Sequence, residues 1–173
     1  MYVYIMAIKK IKQSENTNCN IPLIIKNVNN YSIINQLILI DSDVQNYEIF
    51  FNSVNENTIP IIYSNQSNRN ELLNFINTNL TSIERIGFVF NDVNINNKQF
   101  LNNEQFYTEL DLIENTTEFS TNCLFVIDLI KNLNVKNVDW LVCNSFNVEK
   151  WQNFYTLLTQ KTGIIIGASN DET

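Results

Sequence analysis

The residues best placed to do chemistry stand just past apolar runs. Gln36 to Asp41 (QLILID) closes into Asp41, Ser42 and Asp43. Two carboxylates at i and i+2 behind a buried strand point the same way, so they can share a hard cation or set one carboxylate to act as a nucleophile. Their structural use would be to cap the helix that follows and favour its positive end. A second run, Val138 to Cys143 (VDWLVC), ends in a thiol. A thiol becomes a nucleophile when a base or a cation supplies the thiolate, and the chain contains no His. That removes the commonest general base, the commonest metal ligand and the second member of every Ser-His or Cys-His pair. Cysteine in an apolar strand is most often packed and inert, and Cys143 is read that way. Cys123 reads as helix core and Cys19 as a loop thiol. Three cysteines without C-x-x-C spacing point neither to a zinc site nor to a complete disulfide framework.

Composition narrows the function classes. Of 173 residues, 45% are hydrophobic and 17% charged, enough apolar surface to offset the entropy of ordering in about one core. The net charge is -7 and the arginines are Arg69 and Arg85, so no basic stripe exists for nucleic acid. Met1 to Ile8 is apolar but too short to span a membrane, and Lys9, Lys10 and Lys12 follow it where a secretory signal places basic residues first. Neither membrane insertion nor a signal peptide is expected. Asn and Ile together make 56 residues against three Gly, a bias read as A/T-rich codons and a low-GC genome.

The elements that must position these residues follow from hydrophobic spacing. Gln36 to Asp41, Thr58 to Ser64, Ile83 to Phe90, Val138 to Cys143 and Ile164 to Ala168 have strand length and composition. Between them, apolar residues recur at helical spacing over 44–54, 72–80, 120–133 and 148–162, the last with Asn147 as N-cap and Gly163 as stop. Phe100 to Glu118 reads as a loop or short hairpin. Strands alternating with helices imply an α/β fold, a mostly parallel sheet with helices on both faces. Residues 1–35 form an N-terminal extension, with Tyr2 to Ile8 and Ile21 to Val28 as an edge hairpin; 36–173 form the α/β domain.

The segments LILIDSDVQNY, IERIGFVFND, VDWLVCNS and KTGIIIGASNDET, in this order and spacing, resemble a caspase-like family of unknown function. Its members stand near the start of large bacterial surface proteins and occur in giant DNA viruses. The resemblance implies a caspase-hemoglobinase three-layer sandwich, in which catalytic relatives carry a His after the third strand and a Cys after the fourth. Cys143 falls at the Cys position and Asn91 at the His position. The dyad is therefore degenerate, and the expected function is that of an inactive domain: a structural or protein-binding module needing no cofactor, in a host cytoplasm or a virion.

Two further expectations accompany that reading. An apolar strand running into Asp41-Ser42-Asp43 also resembles the nucleophile motif of Mg-dependent phosphatases of haloacid-dehalogenase type, which makes phosphotransfer through Asp41 and Asp43 with Mg²⁺ the alternative. That motif carries Thr or Val two residues past its second Asp, where this chain has Gln45. The aromatic residues Phe100, Phe106, Tyr107 and Phe119 are the candidate contact patch for a protein partner or self-assembly, against ordinary burial in the core.

Overall fold

A computed structural model describes residues 23–90, 100–104, 111–113, 116–118 and 121–170. In chain order the elements are β1 (Ile24–Ile25), β2 (Gln36–Asp41), α1 (Tyr47–Ser53), β3 (Thr58–Tyr63), α2 (Arg69–Asn79), β4 (Arg85–Val89), β5 (Asp111–Ile113), β6 (Thr116–Glu118), α3 (Thr121–Asn132), β7 (Asn137–Leu141), α4 (Glu149–Thr162) and β8 (Ile165–Ala168). Six strands form one sheet in the order β1-β3-β2-β4-β7-β8. All neighbours are parallel except β1, which joins the β3 edge antiparallel through Ile24↔Ile62 and Ile25↔Ile61. The Tyr2 to Ile8 half of the expected hairpin lies outside the described residues. Within 100–118, β5 and β6 pair antiparallel, Asp111 opposite Glu118.

The chain is α/β, with helices on both faces of a mostly parallel sheet. Without β1, the strands run second, first, third, fourth, fifth, the flavodoxin-like order of a doubly wound sheet. Right-handed crossovers dictate the layers. The step from β2 to β3 runs one way across the sheet and places α1 on one face. Every later step runs the other way, so α2, α3 and α4 share the opposite face. Side-chain alternation agrees. Leu39, Ile61, Phe88 and Trp140 enter the main core with Leu72 of α2, Val126 of α3 and Trp151 of α4. Ile40, Ile62 and Val89 point the other way, onto Phe51 of α1.

Local chemistry accounts for the punctuation. Asn68 caps α2, its side chain accepting from the N–H groups of Asn70 at 2.8 Å and Glu71 at 3.3 Å. Gly163 ends α4 at φ 74°, a left-handed position that favours glycine. With only three glycines in the chain, the other left-handed positions fall to asparagine: Asn46, Asn102, Asn103, Asn134 and Asn144 are the described non-glycine residues with positive φ. The asparagine bias thus also serves the backbone.

Two expectations need correction here. Phe100 is 0% exposed and is core, its ring 4.9 Å from Tyr63 and 5.9 Å from Phe90. It is held there because Glu104, four residues on, pairs with Arg69 of α2 at 2.7 Å. Phe106, Tyr107 and Phe119 lie outside the described residues. Asn147 does not cap α4. The cap position is Val148, without a side-chain bond, while the Asn147 amide donates to the carbonyl of Asn170 at 2.9 Å.

Candidate functional site

In an open α/β sheet, ligands sit beyond the carboxyl ends of the strands where the winding direction reverses. Here that point lies between β2 and β4, and Asp41 is the last residue of β2. Its register partner is Tyr63, the last residue of β3, so the two side chains stand side by side on the face of the three helices. The turn after β2 is closed by Ser42 N–H donating to Tyr63 O at 2.8 Å and Val44 N–H donating to Asp41 O at 3.0 Å.

Asp41 is 1% exposed. One carboxylate oxygen, Oδ1, accepts the backbone N–H of Asp43 at 2.9 Å, an Asx turn, whereas the side chain of Asp43 is exposed. Neither residue caps α1, which starts after Asn46 with no side-chain cap bond. The capping expected of Asp41 and Asp43 is corrected accordingly: the Asp41 carboxylate folds the turn instead. The same burial closes Asp41 to a phosphate ester in this conformation.

Sequence reasoning missed Tyr63. Its hydroxyl is fully buried and has no hydrogen-bond partner among the described residues. Burial, then the nearby charges of Asp41 and Asp43, push its phenol well above the usual range, so both carboxylates lie close enough for their field to reach one hydroxyl. The only signal was a Tyr closing the otherwise aliphatic run TIPIIY. Beside it, Ser67 folds the next turn, its Oγ accepting Ser64 N–H at 2.9 Å.

The second group of residues lies past β7 and β8. Cys143 is exposed, not packed as expected. The ladder ends at Leu141, and alternation sends Val138, Trp140 and Val142 into the main core while Leu141 and Cys143 stay exposed. Asn144 then turns through φ 54°, and Phe146 N–H donates to Ser169 O at 2.8 Å, lacing the loops after β7 and β8 together. Underneath, the Tyr155 hydroxyl donates to Ser145 Oγ at 2.8 Å in a buried bond. Burial raises the Tyr155 phenol, and the Ser145 bond opposes that only in part. Cys123 is buried in α3, as its sequence context implies. Asn91 lies outside the described residues.

Among the described residues no three His, Cys, Asp or Glu side chains come together as a metal site, and no helix is long and apolar enough to cross a membrane. Comparison with protein-family models, curated proteins and solved structures finds no match.

Proposed function

We propose that this chain is a catalytically inactive caspase-like domain that works as a structural or protein-binding module, in a giant virus as part of the virion or in its host's cytoplasm. The observation that carries the reading is the pairing of an exposed thiol with a chain that has no imidazole. Cys143 follows β7, the neighbour of β4 in the sheet, and the residue one place past Phe90 is Asn91. A nucleophile needs a base within hydrogen-bond reach, and no His exists to be brought there. The strand order and the layering are compatible with a caspase-like sandwich. The sheet then serves to present loops and faces to a partner.

The phosphotransfer alternative is weaker because Asp41, its nucleophile, is shut from solvent and already holds the Asp43 amide. Incubating the protein with a pooled peptide library beside a Cys143→Ala variant tests the proposal. Equal, background-level product in both is expected; turnover by the wild type that the variant lacks would overturn it.

A further inference from the structure

The two edges of the main sheet end differently. On one side the last strand is β1, two residues long and too short to template another chain. On the other side the last strand is β8, with no strand beyond it among the described residues. The direction of its backbone groups follows from the register. Ile165 N–H donates to Lys136 O at 2.9 Å, so in this parallel ladder Ile165 and Gly167 turn both their backbone groups toward β7. Ile164, Ile166 and Ala168 turn theirs outward. No group among the described residues meets these three N–H and three C=O groups. Natural edges are blunted by a charge, a proline or a bulge, and the β8 sequence IIGA in its unbroken register has none of these.

The side chains of β8 alternate in a way that matters for a partner strand. Ile164 is in the main core, and Ile166 and Ala168 pack against it on the face of α2, α3 and α4. The other face carries Ile165, 69% exposed, and two residues on Gly167, where any side chain would run into the Asp139 carboxylate. One strand thus holds a large exposed apolar side chain and, two residues away on the same face, a gap.

We propose that the outer edge of β8 pairs antiparallel with the same edge of a second copy, about a two-fold axis that passes between the two Ile166 residues perpendicular to the sheet. Ile166 then faces Ile166, and Ile164 of each copy faces Ala168 of the other. All three are bonded pairs, so every outward group finds a partner. Sliding the register by two residues either way strands one residue of each copy, and sliding it by one sets outward groups against inward ones. Between the bonded pairs, Ile165 of each copy stands opposite Gly167 of the other, at the closer spacing of a non-bonded pair, and its side chain fills the gap there. That fit is the argument for a second copy as the occupant. The edge calls for a strand with a small residue opposite Ile165 and a large apolar one opposite Gly167, and β8 read in reverse is such a strand. The contact is isologous and closes at two, joining two six-stranded sheets into one. Main-chain bonds carry its affinity, as in other strand additions. The dimer stands or falls apart from the inactive-domain reading.

Sedimentation velocity on the full chain, from about 1 to about 500 μM, covers dissociation constants from micromolar to near millimolar. The expected result is a shift from monomer to dimer with concentration. Ala168→Pro removes an outward N–H and leaves the β7 ladder intact, since proline is tolerated where an edge N–H faces outward. Ile165→Glu sets a carboxylate opposite Gly167, beside Asp139 of the other copy, and alters only an exposed side chain. Both variants should stay monomeric with the circular dichroism of the wild type. Amide hydrogen exchange locates the contact. Between about 20 and about 500 μM wild type, the amides of Ile164, Ile166 and Ala168 should slow by about tenfold, while those of Ile165 and Gly167 are protected throughout. A wild type that is monomeric throughout, a dimer that survives either substitution, or a dimer that forms without slowing those three amides would each overturn the proposal.

Discussion

Replacing Tyr63 with Phe should stabilise the protein, which is unusual for a change to a fully buried side chain. The ring keeps its place against Phe100, while the hydroxyl that leaves is buried and has no partner among the described residues. An unmatched buried hydroxyl costs about 1–3 kcal/mol, and removing it leaves no acceptor stranded. Taking about 1 kcal/mol, a chain of this length should gain about 2–4 °C in Tm. The effect should also depend on pH. The unfolded phenol ionises near 10, and the folded one, held above that by burial and by Asp41 and Asp43, stays protonated. A raised folded value means that stability is fully present below about pH 10 and is lost as pH rises past it. At pH 11 the wild type should have lost roughly 1 kcal/mol on this account, a loss the Phe variant escapes. Urea melts of both proteins at pH 7 and pH 11 read the two numbers. A Phe variant less stable than wild type at pH 7, or a stability gap that does not widen at pH 11, would refute the reasoning.

Other perturbations have equally definite outcomes. Asn68→Ala removes two bonds at the start of α2 and should cost about 1 kcal/mol in a urea melt, a cap's usual worth. Gly167→Ala would drive its methyl group into the Asp139 carboxylate and displace it from Arg85; in a double-mutant cycle with Asp139→Ala its cost should largely vanish. Native Cys143 should react with a thiol reagent at once, and Cys123 only on unfolding, as counted by mass spectrometry. Millimolar Mg²⁺ should leave Tm unmoved in the wild type and in Asp41→Asn alike, whereas a rise confined to the wild type would favour the phosphotransfer alternative.

The strands were legible because each central strand is an apolar run with a polar stop, and helix spacing separated them cleanly. What could not be read was how completely each sheet face is covered. VDWLVC is apolar on both faces, which suggests burial on both, yet the crossovers send three of the four helices to one side and leave Leu141 and Cys143 on the open side. The contrast between Phe100 in the core and Ile165 at the surface has the same root, since an aromatic or aliphatic side chain carries no mark of whether a layer will cover it. Asp41 was visible from its position after β2. The burial that folds its carboxylate onto the Asp43 amide, and the hydroxyl of Tyr63 beside it, required the register of β2 on β3.

The inactive-domain account rests most directly on Cys143, and its reactivity toward a peptidyl electrophile can be measured without knowing any substrate. A catalytic thiol reacts far faster when folded, because a base and a binding site act on it together. The account predicts that the native protein labels at Cys143 no faster than the same residue in the urea-unfolded chain. Native labelling tenfold or more faster than unfolded, on the order of a 1.4 kcal/mol activation by the fold, would contradict it.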